Sequence, residues 1–208
     1  MRNESMNLAK SLLLFSLLSI SPLALAQDNK TLTDFNENRQ EINRKGMLVL
    51  GAWGLGNVLV SGAMLFRTDG IDKRFHTMNV GWGAINLTIA AFSYKAALNS
   101  VDGLTLSETL KEQNFIQQVL LFNAGLDLAY IATGFYLRER SLRFETGQPS
   151  KFENLRGFGN SLIMQGSFLF VFDLVMFMVH QNHRKTVLTP ILDNITLSFN
   201  TVGVSFKF

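Results

Sequence analysis

The sequence predicts an all-α membrane protein: a bundle of four transmembrane helices with a short C-terminal β-hairpin. Three observations predict this fold. Charged residues are only 17% of the 208 residues, and they gather in short connectors. The stretches between the connectors are apolar and at least about 20 residues long, enough for a helix to cross a bilayer. The last residues change to an alternating pattern that is typical of strands.

The first 26 residues have the composition of a secretory signal peptide. A basic start precedes an apolar core, and Ala24-Leu25-Ala26 resembles a cleavage site. An uncleaved anchor helix is the alternative, which Pro22 and the small residues after it disfavour. Residues 27–45 are polar and mixed in charge, and we expect them to form a helical lead-in that lies at the surface.

The predicted transmembrane domain covers residues 46–183. Its four apolar spans are 46–66, 75–98, 113–137 and 157–180. Thr105 and Glu108 have the spacing of a capping box, which predicts that a helix begins there. Ser150 and Glu153 have the same spacing ahead of the last span.

The tail, residues 186–208, is predicted to be a β-hairpin because apolar and polar residues alternate in it. A chain that ends in this way also resembles the last strand of an outer-membrane β-barrel. Residues 168–179, however, are continuously apolar, whereas a barrel strand alternates between its lipid face and its polar lumen. The helical bundle is therefore the favoured prediction, and the barrel is the alternative.

Basic residues predict the orientation of the bundle. The connectors 67–74 and 138–156 are rich in Lys and Arg, whereas the loop 99–112 has only Lys111. The positive-inside rule places the two basic connectors in the cytoplasm. We therefore expect a multi-pass protein of the inner membrane with both termini in the periplasm, and the barrel alternative would place it in the outer membrane.

Polar side chains lie at matching depth within the four predicted spans. Asn57, Asn86 and Asp127 fall near the middle of their spans, and Asp173 lies about one helical turn further along its own. A four-helix bundle would bring them into one polar layer inside the membrane, where such residues are costly and rare. The candidate ligand- or ion-binding residues are Asn57, His76, Asn79, Asn86, Asp127, Tyr130 and Asp173.

Small residues share the helix face of Asp173. Counting in sevens from this residue gives Gly159, Gly166 and His180, so small and polar residues form one stripe of the last span. Small residues let helix backbones approach closely in lipid. The glycines of the first span are too scattered to form a dinucleotide-binding fingerprint, and we interpret them as packing residues as well.

Two functions fit this pattern. The first is a binding or permeation module for a small ligand, an ion or a proton, built on the polar layer. The alternative is a structural or assembly protein in which the polar layer serves only helix packing. An enzyme is disfavoured because the sequence has no nucleophile–base pair, and we expect no metal and no cofactor. The expected partners are the lipid bilayer and either a second copy of the chain or another membrane protein, whereas a net charge of +3 argues against nucleic acid.

Three motifs carry a resemblance to a known type of family. They are Phe75-His76-x-Met78-Asn79-x-x-Trp82-x-x-x-Asn86, Asn123-Ala124-Gly125-Leu126-Asp127-x-x-Tyr130 and Gln165-Gly166-x-Phe168-Leu169-x-x-Phe172-Asp173. Together they resemble an uncharacterised bacterial family of small multi-pass membrane proteins, described as a domain of unknown function. The resemblance covers most of residues 46–180. It implies a helical membrane fold and no particular activity.

Overall fold

The structure is a computed structural model that describes residues 30–99, 101–190 and 192. These residues form four long helices and contain no strand, which confirms the all-α prediction for this part of the chain. The helices are α1, Lys30–Met64; α2, Gly70–Ala96; α3, Leu106–Ser141; and α4, Pro149–His183. A π-helical segment, Asn57–Ser61, interrupts α1, and another, Arg184–Leu188, extends α4.

The start of α3 agrees with the sequence pattern. The Thr105 hydroxyl accepts a hydrogen bond from the Glu108 amide, and the Glu108 carboxylate accepts one from the Thr105 amide, which completes the predicted capping box. The second predicted box, Ser150 with Glu153, does not form the cap of α4. That helix instead begins at Pro149, whose fixed φ suits the first helical turn.

α3 and α4 pack antiparallel, and their closest approach is at two glycines. A Cβ atom at Gly134 would lie 2.6 Å from the carbonyl oxygen of Gly159, and one at Gly159 would lie 2.7 Å from the carbonyl oxygen of Gly134. One seven-residue repeat away, a Cβ atom at Gly166 would lie 2.9 Å from the carbonyl oxygen of Asp127. The two helices therefore meet along matching stripes, as they do in an antiparallel coiled coil.

The stripe predicted on the last span is the buried face of α4. Gly159, Gly166, Asp173 and His180 are all buried. The facing stripe of α3 follows the same period, through Gln113, Leu120, Asp127, Gly134 and Ser141. Each step of seven residues forward in α3 thus corresponds to a step of seven residues backward in α4.

α1 and α2 form a second close pair. A Cβ atom at Gly54 would lie 2.9 Å from the carbonyl oxygen of Gly83, and one at Gly83 would lie 2.7 Å from the carbonyl oxygen of Gly54. α2 also packs on α4, where a Cβ atom at Gly157 would lie 2.5 Å from the carbonyl oxygen of Ile71. The glycines of the first two spans thus serve close packing, as the sequence predicts.

The described part of the molecule has a polar interior and an apolar exterior. Among its buried side chains more are polar than apolar. Large apolar side chains face outwards on every helix: Leu59 of α1 is 61% exposed, Phe92 of α2 72%, Phe122 of α3 67% and Val171 of α4 60%. This distribution reverses the usual pattern of a protein in water and matches a protein surrounded by lipid.

Three of the four helices, α1, α3 and α4, are long and apolar enough to cross a membrane, as judged by length and composition. α2 does not reach the same mean hydropathy. Length and composition therefore support three of the four predicted spans. The reason is the buried stripe of α2, which carries Asn79, Gly83 and Asn86 and lowers the mean hydropathy of the helix.

The polar segment 27–45 differs from the surface lead-in that we expected. From Lys30 onwards it is the first part of α1, and Phe35, Asn36 and Arg39 are fully buried. The polar groups find partners at the start of α3: Asn36 Nδ2 donates to Thr109 Oγ1 at 2.8 Å, and Arg39 Nη2 lies 3.1 Å from Glu112 Oε2. These contacts offset part of the cost of burial, although Asn36 Oδ1 and Arg39 Nε have no partner.

The structure also differs from the prediction at the start of the tail. The expected hairpin, residues 186–208, lies mostly outside the described residues, but residues 186–190 and 192 are helical. Leu188 is fully buried against Leu32 and Phe35 of α1. The chain therefore continues α4 at this point, because its apolar side chains bury on one helix face. The predicted signal peptide, residues 1–26, lies outside the described residues.

Candidate functional site

A network of amide side chains joins α1, α2 and α4. Gln165 of α4 is its centre: its Nε2 donates to Asn57 Oδ1 at 2.7 Å and to Asn79 Oδ1 at 3.0 Å. Its Oε1 accepts a hydrogen bond from Trp53 Nε1 at 2.8 Å. Ser161, one turn before Gln165, donates to Asn79 Oδ1 at 2.5 Å. We call these five residues the amide network.

The amide network is held in place by further contacts. Asn57 Nδ2 donates to the Trp53 carbonyl at 2.8 Å, within α1. The Trp53 ring stacks on Phe168, with ring centroids 3.9 Å apart. Nearby in the chain, His76 Nδ1 and Ser61 Oγ lie 3.1 Å apart and join α2 to α1. In the amide network itself, no buried side-chain nitrogen or oxygen lacks a hydrogen-bond partner.

A pair of carboxyl groups lies between α3 and α4. Asp127 and Asp173 are both buried, and they lie on the facing stripes of α3 and α4 one seven-residue repeat apart. Two ionised carboxylates in one apolar interior lose their hydration and repel each other, so protonation of one of them or a bound cation lowers the cost of burial. We call these two residues the carboxyl pair.

Nine buried side-chain polar atoms of the described residues have no hydrogen-bond partner in the protein. One of them, Asp127 Oδ2, belongs to the carboxyl pair, and the others are Asn36 Oδ1, Arg39 Nε, Arg74 Nε, Trp82 Nε1, Asn86 Nδ2, Gln113 Oε1 and both ring nitrogens of His180. Trp82 packs edge-on against Tyr130, with ring centroids 5.0 Å apart, one turn of α3 from Asp127. Unpartnered buried groups are rare in proteins, and each one calls for an explanation.

A cavity of about 1140 Å³ leads to the carboxyl pair. It lies at the end of the bundle where α1 and α3 begin and where α2 and α4 end. Asn43 of α1, Ser93 of α2 and Asn123 of α3 contribute polar groups to its lining, while Asp173 and His180 line it from α4. Asp173 is thus the member of the carboxyl pair that the cavity reaches.

The structure separates the predicted polar layer into two parts. Asn57 and Asn79 join the amide network, and Asp127 and Asp173 form the carboxyl pair. The remaining predicted residues surround these two groups: Asn86 is buried with an unpartnered Nδ2, Tyr130 contacts Trp82, and His76 contacts Ser61.

Sequence analysis did not select Gln165, Ser161 or His180 as site residues. Gln165 and Ser161 lie beside the stripe found by counting in sevens from Asp173, so that count passed over them. Their spacing of four residues was the available signal, because it places both on one helix face. His180 is on the stripe, which was interpreted only as a packing face, and the structure buries it fully.

No metal centre is found among the residues that the structure describes, since none of their His, Asp and Glu side chains form groups of three or more that could hold a metal ion. The arrangement offers hydrogen-bonding groups and two buried carboxyl groups instead. Fold and site together define a helical bundle with a polar core, whose cavity ends at a buried pair of acids.

Residues 49–174 match the model of the Family of unknown function (DUF6992). This match covers more than half of the chain, and the protein belongs to that family. The expected membership in a family of unknown function is thereby confirmed, while its bacterial and multi-pass character stays a prediction. No curated protein and no solved structure matches the chain. The match includes both carboxyl groups and the whole amide network.

Proposed function

We propose that this protein is an integral membrane protein that binds a small ligand, a cation or a proton at the carboxyl pair. The observation that carries the proposal is the cavity, which leads from one end of the bundle to Asp173. One oxygen of Asp127 has no hydrogen-bond partner, whereas no buried side-chain atom of the amide network lacks one. Ligands commonly bind in clefts between helices that carry a few convergent polar groups.

The carboxyl pair has the chemistry for this role. A buried carboxyl group can bind a cation or exchange its proton for one. Asp173 is placed for this, because it lines the cavity. Buried acids in membrane helices commonly mark ion or substrate sites and proton relays.

The proposed location is the inner membrane, with the cavity open towards the periplasm. The cavity lies at the end of the bundle opposite the connectors 67–74 and 138–156, which carry eight Lys and Arg residues, whereas the loop 99–112 at the cavity end has only Lys111. The positive-inside rule would put those connectors in the cytoplasm. α2 would be the fourth span, because it buries its polar stripe within the bundle and exposes Ile85, Ile89 and Phe92.

Binding is favoured over permeation by the packing beyond the carboxyl pair. Towards the end of the bundle that carries the connectors 67–74 and 138–156, Gly134 and Gly159 bring the backbones of α3 and α4 into direct contact. Gln165 and its partners fill the space between α1, α2 and α4. These contacts oppose a continuous passage through a single bundle.

The binding proposal is tested by the infrared carbonyl band of the protonated carboxyl group. The purified protein in lipid nanodiscs should show a change in this band when Na⁺, K⁺ or a small organic ammonium ion is added. Asp173→Asn should abolish the change while the protein remains folded. The matched control is Asp72→Asn, which alters an exposed acid at the other end of the bundle. A band that responds to no cation and no pH change would refute the proposal.

The orientation is tested separately by reporter fusions. Fusions after Arg143 and after Asn182 should report opposite sides of the membrane, since α4 runs between them. The same side for both would contradict the membrane-spanning arrangement of α4. An outer-membrane location of the full chain would contradict the inner-membrane proposal.

The alternative function, helix packing alone, is favoured by the amide network. Its side chains hydrogen-bond to one another across three helices and leave none of their buried atoms free for a ligand. Polar side chains commonly join helices in membranes in this way. We assign the packing role to the amide network, and the infrared experiment decides whether the carboxyl pair shares it.

A further inference from the structure

A second hollow lies on the outer surface of the bundle, between α1 and α4. This groove has a volume of about 460 Å³. Its lining is apolar: Ile42, Gly46, Val49, Phe168, Val171, Phe172, Val175, Met176 and Val179. Lys45 also lines it, but the Lys45 ammonium group pairs with Glu41 at 3.2 Å and its side chain is largely exposed. Only the aliphatic part of Lys45 therefore belongs to the groove.

The groove and the cavity share two residues. Phe172 and Met176 line both, so these two side chains stand between the outer groove and the inner cavity where the two adjoin. Met176 packs over Gly46 of α1, where a Cβ atom would overlap the end of the Met176 side chain. Methionine is unbranched and adaptable, and a glycine opposite leaves it room to move.

The polar end of the cavity has two groups that need a ligand or a partner. Asp173 belongs to the carboxyl pair, and His180 is fully buried with both ring nitrogens unpartnered. The two residues lie seven positions apart on α4, which places them on one face at a separation of roughly 10 Å along the helix. A ligand in the cavity can therefore contact polar groups on one side and the Phe172–Met176 wall on the other.

We propose that the ligand is a membrane-dissolved amphiphile with a basic head group and a single hydrocarbon chain, which enters between α1 and α4. Its head group passes the Phe172–Met176 wall to reach Asp173, and its chain remains in the apolar groove. This inference rests on the proposed function, and it adds the ligand class and the route. A carboxyl group can give its proton to a basic head group and then pair with it, whereas it would repel an anionic one when ionised.

The chain contains a suitable reporter for this route. It has two tryptophans, Trp53 and Trp82. Trp53 stacks at 3.9 Å on Phe168, which lines the groove, whereas Trp82 lies between α2 and α3 against Tyr130. In a Trp82→Phe background, the fluorescence comes from Trp53 alone. A bromine atom on a bound hydrocarbon chain would quench it.

The experiment uses this background reconstituted in phosphatidylcholine vesicles, with bromododecylamine as the probe and bromododecyl sulfate as the head-group control. The amine should quench Trp53 at a concentration lower by roughly tenfold or more, the effect of one charge-assisted hydrogen bond. Asp173→Asn should remove this difference between the two probes. Equal quenching by both probes in the unaltered site would overturn the proposal.

The route is tested at the wall. Gly46→Ile should press on Met176 and slow the quenching by the amine, whereas Gly56→Ile should not, because a Cβ atom at Gly56 meets nothing within 4 Å. Met176→Val gives a second test that does not crowd Gly46, since the shorter side chain opens the wall and should speed entry. Unchanged kinetics in Met176→Val would overturn the route.

The result is distinguishable from a failure of the proposed function. If Asp173 responds to cations in the infrared experiment but the amine shows no preference over the sulfate, the binding site stands and the amphiphile proposal falls. If Asp173 responds to neither cations nor the amine, the proposed function itself falls.

Discussion

The amide network and the carboxyl pair are both buried polar groups of the same bundle, yet they differ in how completely they are satisfied. Gln165 hydrogen-bonds to Trp53, Asn57 and Asn79, and none of the buried side-chain atoms in the amide network lacks a partner. The carboxyl pair has an unpartnered oxygen on Asp127 and adjoins a large cavity at Asp173. The first arrangement is suited to packing and the second to binding.

The difference has an energetic meaning. Interhelical hydrogen bonds in membranes contribute about 0.6 kcal/mol each on average, so a complete network adds stability in small steps. A buried polar atom without a partner costs about 1–3 kcal/mol instead. Unpartnered atoms on Asp127, Asn86 and His180 therefore reduce the stability of the bundle. A binding role explains why this region retains them.

The largest effects are expected where backbones touch. Gly54→Val and Gly134→Val should each destabilise the bundle by about 1–3 kcal/mol or more, because the new side chain meets a backbone oxygen that cannot move aside. Gly54 lies at the contact between α1 and α2, the helices that carry part of the amide network, and Gly134 lies at the contact between α3 and α4, the helices that carry the carboxyl pair. The measurement is the unfolding midpoint in detergent. Gly125→Val is the control on α3, since a Cβ atom there has nothing within 4 Å, and a comparable loss in this control would contradict the packing account.

The next largest effect should come from the centre of the amide network. Gln165→Leu removes the hydrogen bonds to Trp53, Asn57 and Asn79, so we expect a loss of about 2 kcal/mol at about 0.6 kcal/mol for each bond. Cation binding at Asp173 should survive. Unfolding in detergent and the infrared response of the same sample check both halves of the prediction. A stable variant that no longer binds would reverse the roles assigned to the two regions.

Substitution of His180 should have the opposite sign. Its imidazole is fully buried with two unpartnered nitrogens, so His180→Leu should raise stability, by up to about 1 kcal/mol, because an apolar side chain of similar size needs no partner. The unfolding midpoint without ligand is the measurement. His183→Leu is the control, because His183 Nε2 lies 3.0 Å from the Phe35 carbonyl and its ring stacks on Phe35. A lower midpoint for His180→Leu would indicate a structural role.

The smallest effect on stability is expected at the carboxyl pair. Asn can replace one member at nearly the same size and can still hydrogen-bond to the other, so Asp127→Asn and Asp173→Asn should each change stability by less than about 1 kcal/mol. Membrane abundance should stay normal while binding is lost. Normal abundance with unchanged binding would leave the carboxyl pair no role in charge chemistry. A joint collapse of abundance and binding would make it a packing element like the amide network.

Much of the fold follows from local sequence signals. Apolar length predicts α1, α3 and α4 as helices that can cross a membrane, and the Thr105–Glu108 spacing predicts where α3 begins. The seven-residue stripe through Gly159 and Asp173 predicts the buried face of α4. These features are determined within a single helix, so periodicity and capping chemistry are enough to find them.

The tertiary structure decided which polar residues meet. Asn57, Asn86, Asp127 and Asp173 were expected in one layer because they share a depth, but depth does not specify neighbours across a bundle. The register set by Gly134 and Gly159 places Asp127 opposite Gly166, so Asp173 follows one seven-residue repeat further along the same buried stripe of α4. The long side chain of Gln165 reaches two other helices and gathers Asn57 and Asn79 into a separate network. The sequence by itself determined the helices and their buried faces. The close glycine contacts between helices decided which polar side chains face one another across the bundle and that Asp173 lines the cavity.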